Sequence, residues 1–419
     1  MAEKTGDPGD DTSAPFSASL PHVLRQSPFI TFVISTLTWS TGHMLVFMSN
    51  SFLIYDMTGS GLWLAALGAA LAVPQFIFAG IGGVLADRMP RRVMLISGSA
   101  IGALTMMVLA VLGFTDALEP WHIVASGVAF GAALGNDWTA RQAFITNLVH
   151  RSQLVRAVSF DQTSFHISRI TAPLMGAVLL SQTGAEGTFT LGAVSFTLAA
   201  LLLATLRPRQ EIEDRQPPVW AGISDALQKI RSDSIVLIVL VFTAVNALFL
   251  GGFIYLAPVF AKDIFGGGSV EQGGILTGMG IGAVVGALWL GWRGNVRRAG
   301  IAMLVTNALT VIAVGGFSVS TMLIVSIALA FAAGAVNAVH ITVGTVAIQM
   351  RVEDEMRGRV FGIYEMAWGF FPAGGIVFGG LLAAFGPEPS LIIGVVGAGL
   401  VTAGIWLVSP ATRAYTLDQ

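Results

Sequence analysis

Long uncharged apolar runs alternate with short polar turns along nearly the whole chain. The runs fall at 28–55, 61–86, 93–115, 121–148, 154–181 and 187–206, and again at 234–260, 271–292, 299–317, 321–348, 359–385 and 389–409. A helix needs roughly 20 apolar residues to cross a bilayer, so the pattern predicts twelve membrane-spanning helices. The decapeptide GVLADRMPRR, residues 83–92, shows the logic at one turn: it sets one acid and three arginines between apolar neighbours. Charges at the bilayer centre cost about 2.5–3.5 kcal/mol each on insertion scales, so such a cluster marks an aqueous boundary.

The longest polar interval, 207–233, separates six runs from six. Within it Trp220, Ile223, Leu227 and Ile230 recur at helical spacing opposite Asp225, Gln228 and Lys229. This reads as a short amphipathic helix on the inner membrane surface, with an irregular linker as the alternative. The expected organisation is a disordered tail over 1–27, a six-helix bundle over 28–206, the linker over 207–233, a second bundle over 234–409, and a tail over 410–419. Residues 1–27 lack the short apolar segment and cleavage site of a signal peptide.

Composition agrees with this reading. Of 419 residues, 54% are hydrophobic and 11% charged, 50 are glycine, and the mean hydropathy is +0.76, more apolar surface than a soluble core could hide. A net charge of −2 provides no basic footprint for nucleic acid, and the lack of cysteine excludes disulfides and thiolate metal sites. Neither a P-loop nor H-E-x-x-H nor G-x-S-x-G occurs, so direct use of ATP and these enzyme chemistries are excluded, and no metal or cofactor is expected.

Arginines and lysines fix the orientation. With twelve spans, all of them fall on one side except Lys262, on the other, and Arg169, inside the fifth span. The opposite loops carry Asp56, Asp116, Glu119, Glu186, Asp263, Glu271 and Glu388. Cytoplasmic loops are enriched in Arg and Lys, which places both termini in the cytoplasm.

The two halves echo each other: Pro173 and Gly176 in the fifth span recur as Pro372 and Gly375 in the eleventh, both 199 residues on. WRGNVRR, residues 292–298, is a worn copy of the 83–92 cluster. Glycine stripes at 127, 131 and 135, and at 274, 278, 282 and 286, allow close helix packing. Duplicated six-helix halves with a site between them are a transporter architecture.

GVLADRMPRR resembles the loop 2–3 signature of the major facilitator superfamily, G-x-L-A-D-R-x-G-R-K, departing from it at Pro90. Residues 28–409 as a whole resemble the efflux branch that includes bacterial macrolide and siderophore exporters. The resemblance implies a gating role for Gly83, Asp87, Arg88, Arg91 and Arg92, with Arg141, low on the fourth helix, as partner of Asp87. Near Arg359 the eleventh helix begins, and it is the implied neighbour of that acid. The alternative is that the arginines only fix topology. Arg169 precedes Thr171-Ala172-Pro173, where relatives carry a G-P motif favoured in antiporters, and many relatives carry aspartate in place of His43.

Ionisable residues inside spans mark a wet path or a partner. Asp137 and Arg141 are one turn apart and can pair, either as part of such a path or as an ion pair that fixes helix register. Gln162, His166, Arg169 and Pro173 form a stripe about 60° wide on the fifth helix. Candidate proton carriers are Asp137, Asp161, Glu365 and His43. Candidate cavity residues are Trp39, His43, Phe47, Asn136, Gln162, His166, Arg169, Phe249, His340, Glu365 and Trp368; histidines that merely hydrogen-bond between helices, and aromatics that pack or face lipid, are the alternatives.

The expected function is proton-coupled export of amphipathic small molecules by alternating access, carried out by a monomer whose partners are substrate, protons and the bilayer. The alternatives are a siderophore, metabolite or lysolipid transporter working as uniporter or symporter, or a membrane sensor or scaffold.

Overall fold

Apolar runs of this length leave the backbone no partner but itself, and helices result. The computed structural model describes residues 27–86, 89–149, 153–206, 219–294 and 296–416, and every regular element among them is helical. The first set comprises α1 (Ser27–Thr58), α2 (Gly61–Ala86), α3 (Arg91–Phe114), α4 (Pro120–Ile145) and α5 (Leu154–Thr205). A short helix, α6 (Val219–Ser232), leads into α7 (Ser234–Val259), which ends in a π turn over Phe260–Ile264. There follow α8 (Ser269–Arg293), α9 (Ala299–Val319), α10 (Leu323–Arg351), α11 (Asp354–Trp368), α12 (Phe370–Phe385), α13 (Pro387–Val408) and α14 (Pro410–Ala414).

Local chemistry sets several of these ends. Asp233 caps α7 by accepting from the backbone N–H groups of Ile235 and Val236 at 3.0 and 3.3 Å. Between α11 and α12 the helix breaks at Gly369, where Pro372 can offer no N–H to the carbonyl of Trp368. Arg92 donates to the carbonyls of Leu203, at 3.0 Å, and Ala204, and so satisfies the frayed end of α5.

Helix α5 is not straight. Gly184 adopts φ 75° and ψ −167°, a left-handed conformation that only glycine takes readily. The hydroxyl of Thr188 donates to the carbonyl of Gly176 at 3.4 Å, whereas residues twelve apart on a straight helix would be about 18 Å apart. The chain therefore folds back here, and the expected fifth and sixth runs are two arms of one element. Ten helices among the described residues are long and apolar enough to cross a membrane; this double arm counts once, and α4 is not among them because Asp137, Arg141 and their polar neighbours lower its hydropathy.

Outward-facing side chains are apolar, as in Leu104, Leu201, Leu288, Ile312 and Leu400, all more than half exposed. Polar side chains lie inside: Asn50 donates to the Ser126 hydroxyl at 3.1 Å, and Ser40 to that of Ser168 at 2.7 Å. This inversion suits a lipid environment. Helix α6 forms over the expected amphipathic stretch and packs on α7 and α11, burying Ala226 and Ile230 while Leu227 stays exposed. Lys229 on α6 is 3.0 Å from Glu353.

The helices before α6 and those after it meet along two seams. In one, α2 crosses α12 with Gly61 against Gly379 and Gly68 against Gly375, backbone on backbone. In the other, the first arm of α5 packs on α8. Pro173 cannot bond the carbonyl of Arg169, and that freed oxygen faces Gly280, where a Cβ would come within 2.8 Å. Along the same seam the Thr277 hydroxyl donates to the carbonyl of Ile170 at 3.2 Å and that of Ser269 to the carbonyl of Ala177 at 3.0 Å. The prolines 199 residues apart thus belong to α5 and α12, one helix of each seam.

At the end of the molecule away from the termini, more bonds tie the two sets. The Tyr55 hydroxyl donates to Asp263, and Lys262 pairs with Asp56 at 2.6 Å. Gln272 donates to the Ser51 hydroxyl at 3.2 Å and to the Met48 carbonyl at 3.4 Å.

Candidate functional site

Two polar regions lie inside the helices. The first is wholly within the first set, toward the termini. Arg141, fully buried, donates from Nε to Asp137 Oδ2 at 3.2 Å and from Nη1 to Thr36 Oγ1 at 3.1 Å. Thr36 in turn donates its hydroxyl proton to Asp161 Oδ1 at 2.6 Å. The chain Asp137–Arg141–Thr36–Asp161 therefore links α4, α1 and α5. Among the described residues, Asp137 Oδ1, Asp161 Oδ2 and Arg141 Nη2 are buried without a hydrogen-bond partner. Two carboxyl groups share one guanidinium, so with all three ionised one negative charge is in excess.

An aromatic ladder on α1 climbs away from this cluster. The Arg141 guanidinium lies 4.5 Å from the Trp39 ring centroid, a cation–π contact. His43 is held between Trp39 and Phe47, with ring centroids 5.1 and 5.0 Å away, and neither of its nitrogens has a hydrogen-bond partner. Phe47 then meets Phe371 across the molecule edge-on at 5.8 Å.

The second region is a cavity of about 120 Å³ between the sets, lined by His166 and Arg169 of α5, Leu250 of α7, three small or flexible α8 residues and a face of α10 that includes Asn337. Arg169 is equidistant in sequence from Leu154 and Gly184, so it lies at mid-height of its arm. Asn337 is held from behind. Its Nδ2 donates to Asn246 Oδ1 at 3.2 Å, Asn246 Nδ2 to Asn307 Oδ1 at 2.8 Å, and Asn307 Nδ2 to the Thr402 hydroxyl. This run of amides crosses α10, α7, α9 and α13, and the sequence reading missed it. Each asparagine is an isolated polar residue in an apolar run, a signal that was there to be used.

The structure brings some expected residues together and leaves others apart. Trp39, His43 and Phe47 share one stripe with Arg141 at its foot, and His166 and Arg169 line the cavity; Gln162 is partly buried on the same arm. Phe249 is instead enclosed by Phe378 and Gly394, packed within the second set. His340 is buried against Phe242, with Nδ1 3.1 Å from the Thr306 hydroxyl and 3.2 Å from the Met303 carbonyl. Trp368 joins the apolar cluster at the terminal end of the second set. Of the 83–92 turn, Gly83 lies in the last turns of α2, and Arg91 donates to Asn147 at 3.4 Å. Asp87 and Arg88 lie outside the described residues, as do the side chains of Asn136 and Glu365.

Helices with apolar outer faces, two seams and a polar cavity between them define a multi-pass membrane transporter. The family model for transmembrane secretion effectors matches residues 18–415, and the chain belongs to that family of the major facilitator superfamily. Its members are transporters and not enzymes. The enterobactin exporter EntS of Salmonella typhi is 28% identical over 355 residues, covering 83% of this chain and 82% of its own. Macrolide efflux protein A of Streptococcus pyogenes is 22% identical, over 75% of this chain and 79% of its own. The fold is shared with a nucleoside transporter, NupG, at a TM-score of 0.72 and 14% identity, covering 91% of this chain and 99% of that one. It is shared also with a bacterial homologue of the lysosomal transporter Spinster, at 0.71 and 14%, covering 92% and 98%.

Proposed function

We propose that this protein is a proton-coupled exporter of amphipathic small molecules that works as a monomer by alternating access in a bacterial cell membrane. Twelve spans, counting α4 and both arms of α5, form two six-helix bundles over 28–206 and 234–409 with both termini cytoplasmic. In this topology the ties among Tyr55, Asp263, Lys262, Asp56 and Gln272 close the outer side. Export is favoured over import by the relatives, which are named as an exporter and an efflux protein. The 83–92 turn is the inner latch, with Asp87 as its acid and Arg141, whose Nη2 has no hydrogen-bond partner among the described residues, as the partner of that acid.

The observation that carries proton coupling is the unequal charge in the Asp137–Arg141–Thr36–Asp161 chain. Asp137 contacts the guanidinium directly, whereas Asp161 reaches it only through the Thr36 hydroxyl, so Asp161 is the acid that holds the exchangeable proton. Substrate and proton then alternate on α5, where Asp161 lies eight residues, about 12 Å of helix, from Arg169.

Reconstitution into vesicles with a pH-sensitive dye inside tests this, using lipophilic cations, macrolides and lysolipids as the panel. The expected result is substrate movement driven by an imposed pH gradient, with Asp161→Asn losing the drive and keeping downhill exchange. Asp137→Asn should instead destabilise the protein, because it removes the one carboxylate in direct contact with the buried guanidinium and leaves only the link through Thr36, a loss of up to about 3–5 kcal/mol. Transport indifferent to the pH gradient would refute the coupling.

A further inference from the structure

Resting on the transporter reading, we propose that the cavity between α5, α8 and α10 is an oxyanion site, that Arg169 is its anchor, and that the exported molecules are organic anions. Arg169 stands at mid-height in an apolar bundle, where a cation without a partner is expensive to maintain. Among the described residues it forms no ion pair or hydrogen bond, and no acid lines the cavity into which it faces. Arg141 shows the contrast: that guanidinium is spent on Asp137, Thr36 and the Trp39 ring.

The guanidinium of Arg169 is not engaged with its own freed carbonyl either. That carbonyl, left open by Pro173, faces Gly280 of α8, while the side chain lines the cavity. Opposite, small residues, Ala283, Ala287, Gly334 and Ala338, make up much of the cavity wall beside larger ones such as Leu250 and Met279. Asn337 contributes an amide to the same wall. Its Nδ2 gives one hydrogen to Asn246, and the head-to-tail order of the Asn246–Asn307–Thr402 chain fixes the amide's orientation, leaving a second N–H for a ligand. Groups able to donate thus line the cavity from both bundles, Arg169 and His166 from one and Asn337 from the other, and no acid is among its described lining residues. Two oxygens of one anionic group match a guanidinium fork, and a group held this way bridges the two bodies that must rock.

The test uses three probes on one scaffold, 2-naphthylacetate, 2-naphthylacetamide and 2-naphthylethylammonium, titrated calorimetrically into the full-length protein in lipid nanodiscs. The carboxylate should bind at least about tenfold tighter than the amide, and the ammonium weakest, as expected when a charge-assisted bond is lost. Arg169→Gln should bind carboxylate and amide within about twofold of each other, and Arg169→Lys should fall between. Thermal melting of each variant checks folding. If Arg169→Gln does not fold, Asn337→Leu replaces it, with an expected loss of about fivefold for the carboxylate and little change for the amide. Equal binding of carboxylate and amide by the wild type, preference for the ammonium, no saturable carboxylate binding by folded protein, or undiminished preference in the variant that folds would overturn the proposal. Proton-linked flux of cations alone would sink the oxyanion site and leave the transporter standing; carboxylate preference in a protein that moves nothing would do the reverse.

Discussion

Tyr55→Phe removes one hydroxyl from the seam that closes the loop end, and the structure sets the size of the effect. The Tyr55 side chain is 6% exposed and donates to Asp263 on the π turn after α7, so its bond forms only while the two bundles meet there. A hydrogen bond to a charged acceptor contributes about 1.5–3 kcal/mol, and the solvent-facing carboxylate of Asp263 puts this one at or just below the low end. A loss of about 1.4 kcal/mol shifts the balance between closed and open loop ends about tenfold. A state present at about 3% would then rise to about 25%. Lys262→Gln is the internal control. Its partner Asp56 is 45% exposed and the lysine 31%, so that pair is worth only about 0.2–1 kcal/mol and a shift of no more than about fivefold.

The chain has no cysteine, so spin labels can be placed at Leu62→Cys and Met322→Cys without background. These positions are 65% and 63% exposed and belong to different bundles at the loop end. Double electron–electron resonance in nanodiscs should show one dominant short distance in the parent and a second, longer population in Tyr55→Phe, with a smaller change in Lys262→Gln. An unchanged distribution in Tyr55→Phe, or a larger shift in Lys262→Gln, would refute the assignment of the loop-end latch.

Two stability predictions follow from packing inside the second bundle. A Cβ at Gly282 would lie 2.0 Å from the Phe331 carbonyl oxygen, so Gly282→Ala forces α8 and α10 apart and should cost roughly 1–3 kcal/mol, read as a lower melting temperature, while Gly291→Ala on the same helix, with nothing within 4 Å, should be neutral. Asn246→Leu breaks two bonds of the buried amide chain; at about 0.6–1.7 kcal/mol per interhelical bond in a bilayer, it should cost roughly 1–3 kcal/mol, and a melting curve that does not move would remove the chain's structural role.

Much of this architecture was legible in one dimension because it depends on faces and lengths. The apolar runs, the linker helix, the Asp137–Arg141 spacing and the His166–Arg169 stripe are periodicities, and a helix turns periodicity directly into a face. What stayed hidden depends on which faces meet. Thr36 looked like any hydroxyl on a span, yet it joins an arginine 105 positions away to an acid 125 away. Asn307 lies 61 positions from Asn246 and 95 from Thr402, and no local pattern predicts that those spans adjoin. Phe249 and His340 failed to reach the cavity for the same reason: height along a helix was readable, but rotation toward a particular neighbour was not.

The distribution of the two polar regions bears on how substrate and proton could be coupled. Every member of the Asp137–Arg141–Thr36–Asp161 chain belongs to the first bundle, so rocking of one bundle against the other leaves its internal bonds intact. The Arg169 cavity has one wall in each bundle, and the same motion must remake it. Under the proposed proton coupling, the link between the two regions is the arm of α5 that carries both, which is pinned to α8 by Thr277 and Ser269 and stripped of a backbone bond at Pro173. The missing bond lies between Pro173 and the Arg169 carbonyl, so the part of the arm pinned to α8 can bend relative to the lower part, which keeps Asp161 and Arg169 in one helical register.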